Sequence, residues 1–304
     1  MSSVEPVYTL SDLATWPATG TWLAVLGHPI AHSISPLMHN AALARIASTD
    51  TKYSDWHYVR FDVPPEQLAE ALNELRAKGF FGLNLTLPHK VLALPHLARI
   101  DPAAAPIGAV NTLRACEAGW EAYNTDGYGM SAGIRQNLGL TLKGTHIILL
   151  GAGGAARGAA VECLQQGVAS LSIANRTEAN MNQLLADIAP LCPEGCRLRG
   201  FSPSAIPSDL PAGALVINAT SAGLKPDDAL PIDLGKLPRP VAVYDMIYKH
   251  TALLKLADQA GIPTAHGLSM LVNQGAKALS HWTGVSAEQL FPDMNSAALK
   301  AFGL

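Results

Sequence analysis

The chain has 304 residues, of which 49% are apolar and only 15% charged, a composition typical of compact α/β proteins rather than of disordered chains. The net charge of −3 and the lack of clustered Lys and Arg argue against nucleic-acid binding. No apolar run approaches the length of a membrane span, and the N-terminus has no secretory signal pattern. We therefore expect a soluble, cytoplasmic protein without membrane contact.

The four cysteines are too few for a disulfide scaffold at this length, which fits a reducing compartment. Cys192 and Cys196 are spaced like half of a metal site, but no second pair of ligands follows at a suitable distance. His28 and His32 lie four residues apart, yet Pro29 between them prevents a helical two-histidine face. We expect no bound metal.

The first part of the chain alternates predicted strands with predicted helices. Strands are predicted at 22–27, 57–63 and 80–86, and helices at 37–47 and 65–78. Ser35 is the expected N-cap of the first helix, with Pro36 in its first turn. The alternation indicates parallel strands joined by crossovers. Residues 109–113 and 120–124 are then expected to pair as a hairpin.

Two polar groups interrupt this apolar pattern. Ser33 and Ser35 are two residues apart, so their hydroxyls would point the same way in extended backbone. Asn84, Thr86 and Lys90 follow the third predicted strand and supply an amide, a hydroxyl and an amine. Such groups suit the binding of a polyhydroxylated ring.

Residues 124–129 are turn-forming, and a helix is predicted after them at 130–138. A second domain follows, which opens with an apolar strand at 145–150. A glycine-rich turn follows, and a helix is predicted after it at 155–166. The turn consists of Gly151, Ala152, Gly153, Gly154 and Ala155. A strand–turn–helix of this kind can hold a pyrophosphate on the free N–H groups of the helix start. The alternative is a glycine-rich turn that binds no ligand.

The type of dinucleotide is indicated by the end of the next strand, where the chain has Asn175, Arg176 and Thr177. NAD sites usually place a carboxylate near this point, whereas a guanidinium can pair with a 2′-phosphate. The pattern therefore favours NADP over NAD. Later strands at 214–221 and 241–246 end with Thr220, Ser221 and Met246, which we expect to line the cofactor cleft.

These motifs together resemble the shikimate dehydrogenase family over almost the whole chain. The matching segments are residues 27–36, 84–90, 107–112, 123–127, 151–155, 175–177, 244–248 and 267–274. The resemblance implies an α/β fold with an N-terminal substrate domain, a Rossmann-type dinucleotide-binding domain and a cleft between them. It also implies a discontinuous substrate domain, residues 1–128 plus 265–304, with the NADP-binding domain at 129–264.

Members of this family reduce 3-dehydroshikimate to shikimate with NADPH, within aromatic amino-acid and chorismate biosynthesis, so the resemblance implies an oxidoreductase. It assigns the substrate carboxylate to Ser33 and Ser35, and the nicotinamide environment to Met246 and Gly267. The catalytic pair would be Lys90 and Asp126. The further substrate contacts that it implies are Asn84, Thr86, Asn111, Tyr248 and Gln274.

The chain departs from the family pattern in two places. Only Lys249 and His250 separate Tyr248 from Thr251, a shorter loop than in many relatives. Asn180 stands where some NADP-specific relatives carry a second basic residue. Two alternatives therefore stay open: a quinate or shikimate dehydrogenase paralogue that uses NAD(P), and a catalytically silent NADP-binding sensor or scaffold. The sequence also leaves the oligomeric state open, a homodimer included.

Overall fold

The computed structural model describes residues 6–225 and 227–304, which divide into two compact units. The first unit ends at Thr125 and resumes at Gln274–Leu304, and the second is Asp126–Asn273. The boundaries expected from the sequence fall after residues 128 and 264. Within the described residues, no helix is both long and apolar enough to cross a bilayer.

The first unit contains a mixed sheet whose strand order is β2-β1-β3-β5-β6-β4. Its strands are β1 (Thr21–Gly27), β2 (Trp56–Asp62), β3 (Gly82–Leu85), β4 (Arg99–Ile100), β5 (Thr112–Cys116) and β6 (Gly119–Tyr123). The helices before the second unit are α1 (Ser35–Ala47), α2 (Leu68–Ala77) and α3 (His89–Leu92). Strand β1 pairs in parallel with both β2 and β3, as the alternating pattern predicted.

The first unit differs from the sequence-based expectation at several elements. The first strand of the hairpin lies at β5 rather than at 109–113, because Val110 donates its N–H to the carbonyl of Lys90 instead of pairing with β6. Helix α2 is preceded by a 3-10 turn at Pro65–Gln67, and the short edge strand β4 was not predicted. The expectation for Ser35 is also wrong: it is the first helical residue, and the N-cap is Ile34.

The second unit is an all-parallel sheet with strand order β12-β11-β10-β7-β8-β9. Its strands are β7 (His146–Leu150), β8 (Ser170–Ala174), β9 (Arg197–Phe201), β10 (Leu215–Asn218), β11 (Ala242–Asp245) and β12 (Thr264–His266). The helices are α4 (Asp126–Leu138), α5 (Gly154–Gln165), α6 (Glu178–Ile188), α7 (Ala252–Gln259) and α8 (Leu268–Thr283), which continues beyond Asn273. A final helix, α9 (Ala287–Phe302), belongs to the first unit.

This strand order is that of a doubly wound Rossmann sheet, because the chain starts at the centre with β7 and builds outward in both directions. Strands β7 and β10 are buried along their lengths apart from the first residue of β7, as expected for a sheet covered on both faces. The point where the strand order reverses lies between β7 and β10, where ligands bind in such sheets. The two-domain α/β fold expected from the sequence is confirmed.

Candidate active site

The serine pair lies at the start of α1, but not in the extended backbone assumed from the sequence. Ile34 has φ −89° and ψ 2°, and Ser35 already belongs to the helix. The Ser33 hydroxyl instead accepts a hydrogen bond from the N–H of Ser35 at 3.3 Å. The two serines are therefore linked by a hydrogen bond at a helix start, and the extended backbone expected from the sequence is wrong.

A buried network of amides and hydroxyls centres on Asn84, which is 7% exposed. Its Oδ1 accepts from the Tyr58 hydroxyl at 2.7 Å, and its Nδ2 donates to the Asn111 carbonyl at 2.9 Å and to Thr112 Oγ1 at 3.1 Å. Both amide hydrogens of Asn84 are thus used inside the protein. Toward a ring hydroxyl, Asn84 can act only as an acceptor.

Asn111 continues this network toward the C-terminal part of the first unit. Its Oδ1 accepts from the N–H of Thr125 at 2.9 Å and from Thr112 Oγ1 at 2.9 Å. Its Nδ2 donates to Gln274 Oε1 at 3.5 Å, a long hydrogen bond. The structure therefore brings together Asn84, Asn111 and Gln274, which lie far apart in the sequence.

Lys90 is half-buried on α3, directly after the segment that carries Thr86. The short helix is anchored by His89, whose Nε2 donates to the Val63 carbonyl at 2.8 Å and whose N–H donates to the Thr86 carbonyl. Burial lowers the pKa of His89, so the neutral imidazole is the form that makes this contact. These bonds fix the start of α3 and thereby the position of the Lys90 backbone.

The glycine-rich turn joins β7 to α5 in the second unit. Gly151 has φ +111°, which favours glycine, and a Cβ there would lie 3.1 Å from Thr220 Cγ2. At Gly153 and Gly154 an added Cβ would meet no described atom within 4 Å, so open space lies above this turn. Ala152 completes the turn, and Gly154 and Ala155 are the first two residues of α5. The space lies at the start of α5, where the first N–H groups have no partner within the helix.

The Asn-Arg-Thr segment follows β8, the neighbour of β7. Asn175 donates from Nδ2 to the Thr177 carbonyl at 2.8 Å, and its N–H donates to the Phe201 carbonyl at 3.2 Å. Thr177 is the N-cap of α6, and Arg176 between them is exposed. The backbone of this segment is therefore held at both ends, while the Arg176 side chain reaches solvent.

A second buried network lies beyond β10 and β11. The Asn218 amide donates to Asp245 Oδ2 at 3.0 Å, and Thr251 Oγ1 donates to the same oxygen at 2.7 Å. Thr220 donates from both its N–H and its hydroxyl to Asn218 Oδ1, at 3.1 and 2.7 Å. Burial raises the pKa of Asp245. This network holds the turn that carries Thr220 and the exposed Ser221.

Met246 and Gly267 lie side by side. The N–H of Met246 donates to the Asn218 carbonyl at 3.0 Å, and that of Gly267 donates to the Ile247 carbonyl at 3.1 Å. Tyr248 follows on the same loop and is 53% exposed. Asp126, the other expected catalytic residue, is the first residue of α4, where a carboxylate is favoured by the helix dipole.

Several residues of the site were missed from the sequence: Tyr58, Thr112, Thr125, His89, Asn218, Asp245 and Thr251. Asn218 and Asp245 could have been noticed as polar residues that end otherwise apolar strands. Tyr58 gave no such signal, because tyrosine is common in strands. Among the described residues, no group of three His, Cys, Asp or Glu side chains could hold a metal ion.

Comparison with known proteins places these features in one family. Residues 25–113 match the model of the shikimate dehydrogenase substrate binding domain, and residues 267–290 match that of the shikimate 5′-dehydrogenase C-terminal domain. Shikimate dehydrogenase (NADP(+)) of Symbiobacterium thermophilum is 40% identical over 270 residues, which cover 87% of this chain and 90% of that protein.

Solved structures agree with this result. Shikimate 5-dehydrogenase of Thermus thermophilus, crystallised with NADP(H) and shikimate, is 35% identical with a TM-score of 0.77, covering 92% of this chain and 99% of that one. The ligand-free 5-ketofructose reductase of Gluconobacter sp. strain CHM43 is 31% identical with a TM-score of 0.78, covering 91% and 99%. With matching domain models and a 40% identical relative over most of its length, the chain belongs to the shikimate dehydrogenase family.

Proposed function

We propose that this protein is an NADP-dependent shikimate dehydrogenase, which reversibly reduces the ring ketone of 3-dehydroshikimate to the hydroxyl of shikimate. The observation that carries the proposal is the network of the buried Asn84 and Asn111 with the half-buried Gln274, beside which the half-buried Lys90 follows Asn84 by six residues. Amides with fixed orientations suit a ring that carries several hydroxyls, and an amine suits its ketone oxygen.

Lys90 is assigned the electrostatic and proton-transfer role. Negative charge develops on the ketone oxygen as the ring carbon is reduced, and a protonated amine at that oxygen lowers the energy of the transition state. The same amine can then supply the proton that completes the hydroxyl. We assign to Asp126 the task of fixing the Lys90 ammonium by a charge-assisted hydrogen bond.

The remaining substrate contacts follow the chemistry of their side chains. Ser33 and Ser35 are hydroxyl donors for the ring carboxylate, and Thr86 and Tyr248 add hydroxyls for the ring. Asn84 accepts from a ring hydroxyl, since both of its hydrogens are already used. Asn111 and Gln274 are assigned to the ring hydroxyls on the other branch of the network, where Asn111 Nδ2 already donates to Thr125 Oγ1 and to Gln274 Oε1.

The second unit fits NADP. The open space at Gly153 and Gly154 leaves the start of α5 accessible to a pyrophosphate, and Gly151 allows the tight turn that precedes it. Arg176, with Asn175 and Thr177 on either side, is assigned to the 2′-phosphate. Thr220 and Ser221 are assigned to the lining of the cofactor cleft, and Met246 and Gly267 to the nicotinamide end. When bound as NADPH, the cofactor supplies the hydride.

The test is a spectrophotometric assay in which shikimate and quinate are each combined with NADP⁺ and NAD⁺. We expect turnover largely confined to shikimate with NADP⁺. Comparable turnover of quinate, or a preference for NAD⁺, would establish the paralogue instead. Tight NADPH binding without turnover in any combination would favour the silent sensor.

The four cysteines, which are all free thiols, support placing this activity in the cytoplasm.

A further inference from the structure

Strand β2 of the first unit contacts the loop at residues 28–35, which carries Ser33 and Ser35, through every second side chain. This segment is called the serine loop. Tyr58, Arg60 and Asp62 are spaced two residues apart on β2, so they lie on the same face of the strand. Asp62 Oδ1 lies 2.6 Å from His28 Nδ1 at the start of the loop, and the Tyr58 hydroxyl contacts the Ser35 side chain at its end. Arg60 lies between these two contacts in the row.

Arg60 binds the middle of the serine loop through its carbonyl groups. Its Nη1 donates to the Ala31 carbonyl at 2.7 Å and to the Ser33 carbonyl at 3.0 Å. Its Nε donates at 3.3 Å to the carbonyl of Pro6, in the segment before β1. Arg60 is only 5% exposed, and a buried guanidinium is stable only when its N–H groups have acceptors. The loop carbonyls are two of those acceptors.

The direction of these carbonyls matters for a loop that receives an anion. Carbonyl oxygens carry partial negative charge and repel a carboxylate, whereas N–H and O–H groups attract it. Because Arg60 binds the Ala31 and Ser33 carbonyls, their oxygens are turned toward its side chain. The Ser33 hydroxyl is correspondingly free to meet a ligand as a donor while accepting from the N–H of Ser35.

We propose that Arg60 is a positioning residue that makes the serine loop selective for a substrate bearing a carboxylate. It acts through the loop, by holding two carbonyl oxygens away from the anion, and touches neither substrate nor cofactor. The inference rests on the proposed function, since it assumes that the Ser33–Ser35 segment binds the carboxylate of shikimate.

The test compares shikimate with its uncharged methyl ester as substrates of the wild type, Arg60→Met and Arg60→Lys. In Arg60→Met the two carbonyls lose their donor, and we expect the ratio of kcat/KM for acid over ester to fall about tenfold or more. Lysine can bind one of the carbonyls, so Arg60→Lys should show a smaller fall. KM for NADP⁺ should stay within about twofold of wild type in both variants.

The control is Arg45→Met, which removes an exposed arginine from α1 of the same unit and should leave the ratio unchanged. Equal losses for acid and ester in Arg60→Met would show a merely structural role and overturn the inference. If Arg60→Met does not fold, an unchanged ratio in Arg60→Lys overturns it and a lowered ratio supports it. A wild type that oxidises neither compound would instead refute the proposed function.

Discussion

A Cβ atom added to Gly267 would lie 2.1 Å from the carbonyl oxygen of Met246, closer than any real side-chain atom approaches a backbone oxygen. The obstacle is backbone, so it cannot turn aside as a flexible side chain would. Gly267 is therefore required by close packing of two chain segments, in addition to any contact with a nicotinamide.

For Gly267→Ala we expect a loss of about 1–3 kcal/mol in the free energy of unfolding, because one segment must move to admit the methyl group. Affinity for NADPH should fall as well, since Met246 is the neighbour that moves. Urea unfolding and fluorescence titration with NADPH measure the two effects. Gly235→Ala, at an exposed glycine of the same unit, is the control: its Cβ would lie 3.3 Å from Oδ1 of the exposed Asp233, a side chain that can turn aside, so neither quantity should change.

Tyr58→Phe removes the hydroxyl that donates to Asn84 Oδ1. The buried acceptor is left with one partner fewer, which should cost about 1–3 kcal/mol in unfolding free energy. Because the Asn84 amide is then less firmly oriented, KM for shikimate should also rise. Tyr53→Phe breaks a comparable bond to the Thr283 carbonyl, so it should lower stability and leave KM unchanged. Equal KM values for both variants would contradict the assigned role of the network.

Lys90→Met should lower kcat by about 10²–10⁴-fold, with a smaller effect on KM, because the amine acts on charge that develops in the transition state. Steady-state kinetics with shikimate and NADP⁺ provide the measurement. Lys78→Met, at an exposed lysine just after α2, is the matched control. A kcat within a few fold of wild type would remove Lys90 from the mechanism.

Arg176→Asp should reverse the cofactor preference. The new carboxylate repels the 2′-phosphate of NADP⁺ and can accept from the ribose hydroxyl of NAD⁺. The ratio of kcat/KM for NADP⁺ over NAD⁺ is the quantity to compare. Arg197→Asp changes charge equally at an exposed position of the same unit and should keep the wild-type ratio. The assignment of Arg176 fails if the two variants behave alike.

Glu121 makes the stability of the first unit depend on acid pH. Burial would raise the pKa of this carboxyl, but hydrogen bonds from Tyr123, Arg114 and Arg99 outweigh it and lower the pKa to about 2. Since the ordinary value is 4.5, the stabilisation is complete above pH 4.5 and is lost as pH falls toward about 2. Glu121→Gln should therefore lack this part of the acid sensitivity.

The corresponding measurement is the urea midpoint of both proteins across this pH range. The advantage of the wild type over Glu121→Gln should shrink steadily as the pH is lowered. Glu70→Gln, at an exposed position on α2, should follow the wild type throughout. A constant difference between wild type and Glu121→Gln would contradict this linkage.

The sequence predicts this fold well where one local pattern decides the structure. Strand β7 is apolar from Ile147 to Leu150, and the φ of +111° at Gly151 is a backbone conformation that favours the glycine found there. It predicts poorly where distant segments meet. The i, i+2 spacing of Ser33 and Ser35 predicted extended backbone, which is wrong, because Pro36 and the segment around it start a helix there.

The residues that hold the site in place could not be predicted from the sequence, because their contacts join segments that are far apart in the chain. Arg60 looks like an ordinary residue of an alternating strand, and its importance lies in contacts with carbonyls about 30 residues away. Thr125 supports the site only through the Asn111 side chain, whose Oδ1 accepts from the Thr125 N–H. Such partners depend on strand order and on the return of the chain after the second unit, which no local pattern encodes.

The return of the chain to the first unit affects how the protein folds during its synthesis. The second unit is one continuous stretch, whereas the first needs Gln274–Leu304, from which Trp282 donates to the Leu113 carbonyl and α9 packs on α1. During translation the ribosome releases the whole Rossmann unit before the first unit has its last two helices. We therefore expect the NADP-binding unit to fold first. The strands of the first unit are made earlier but stay partly exposed until the C-terminal helices are synthesised.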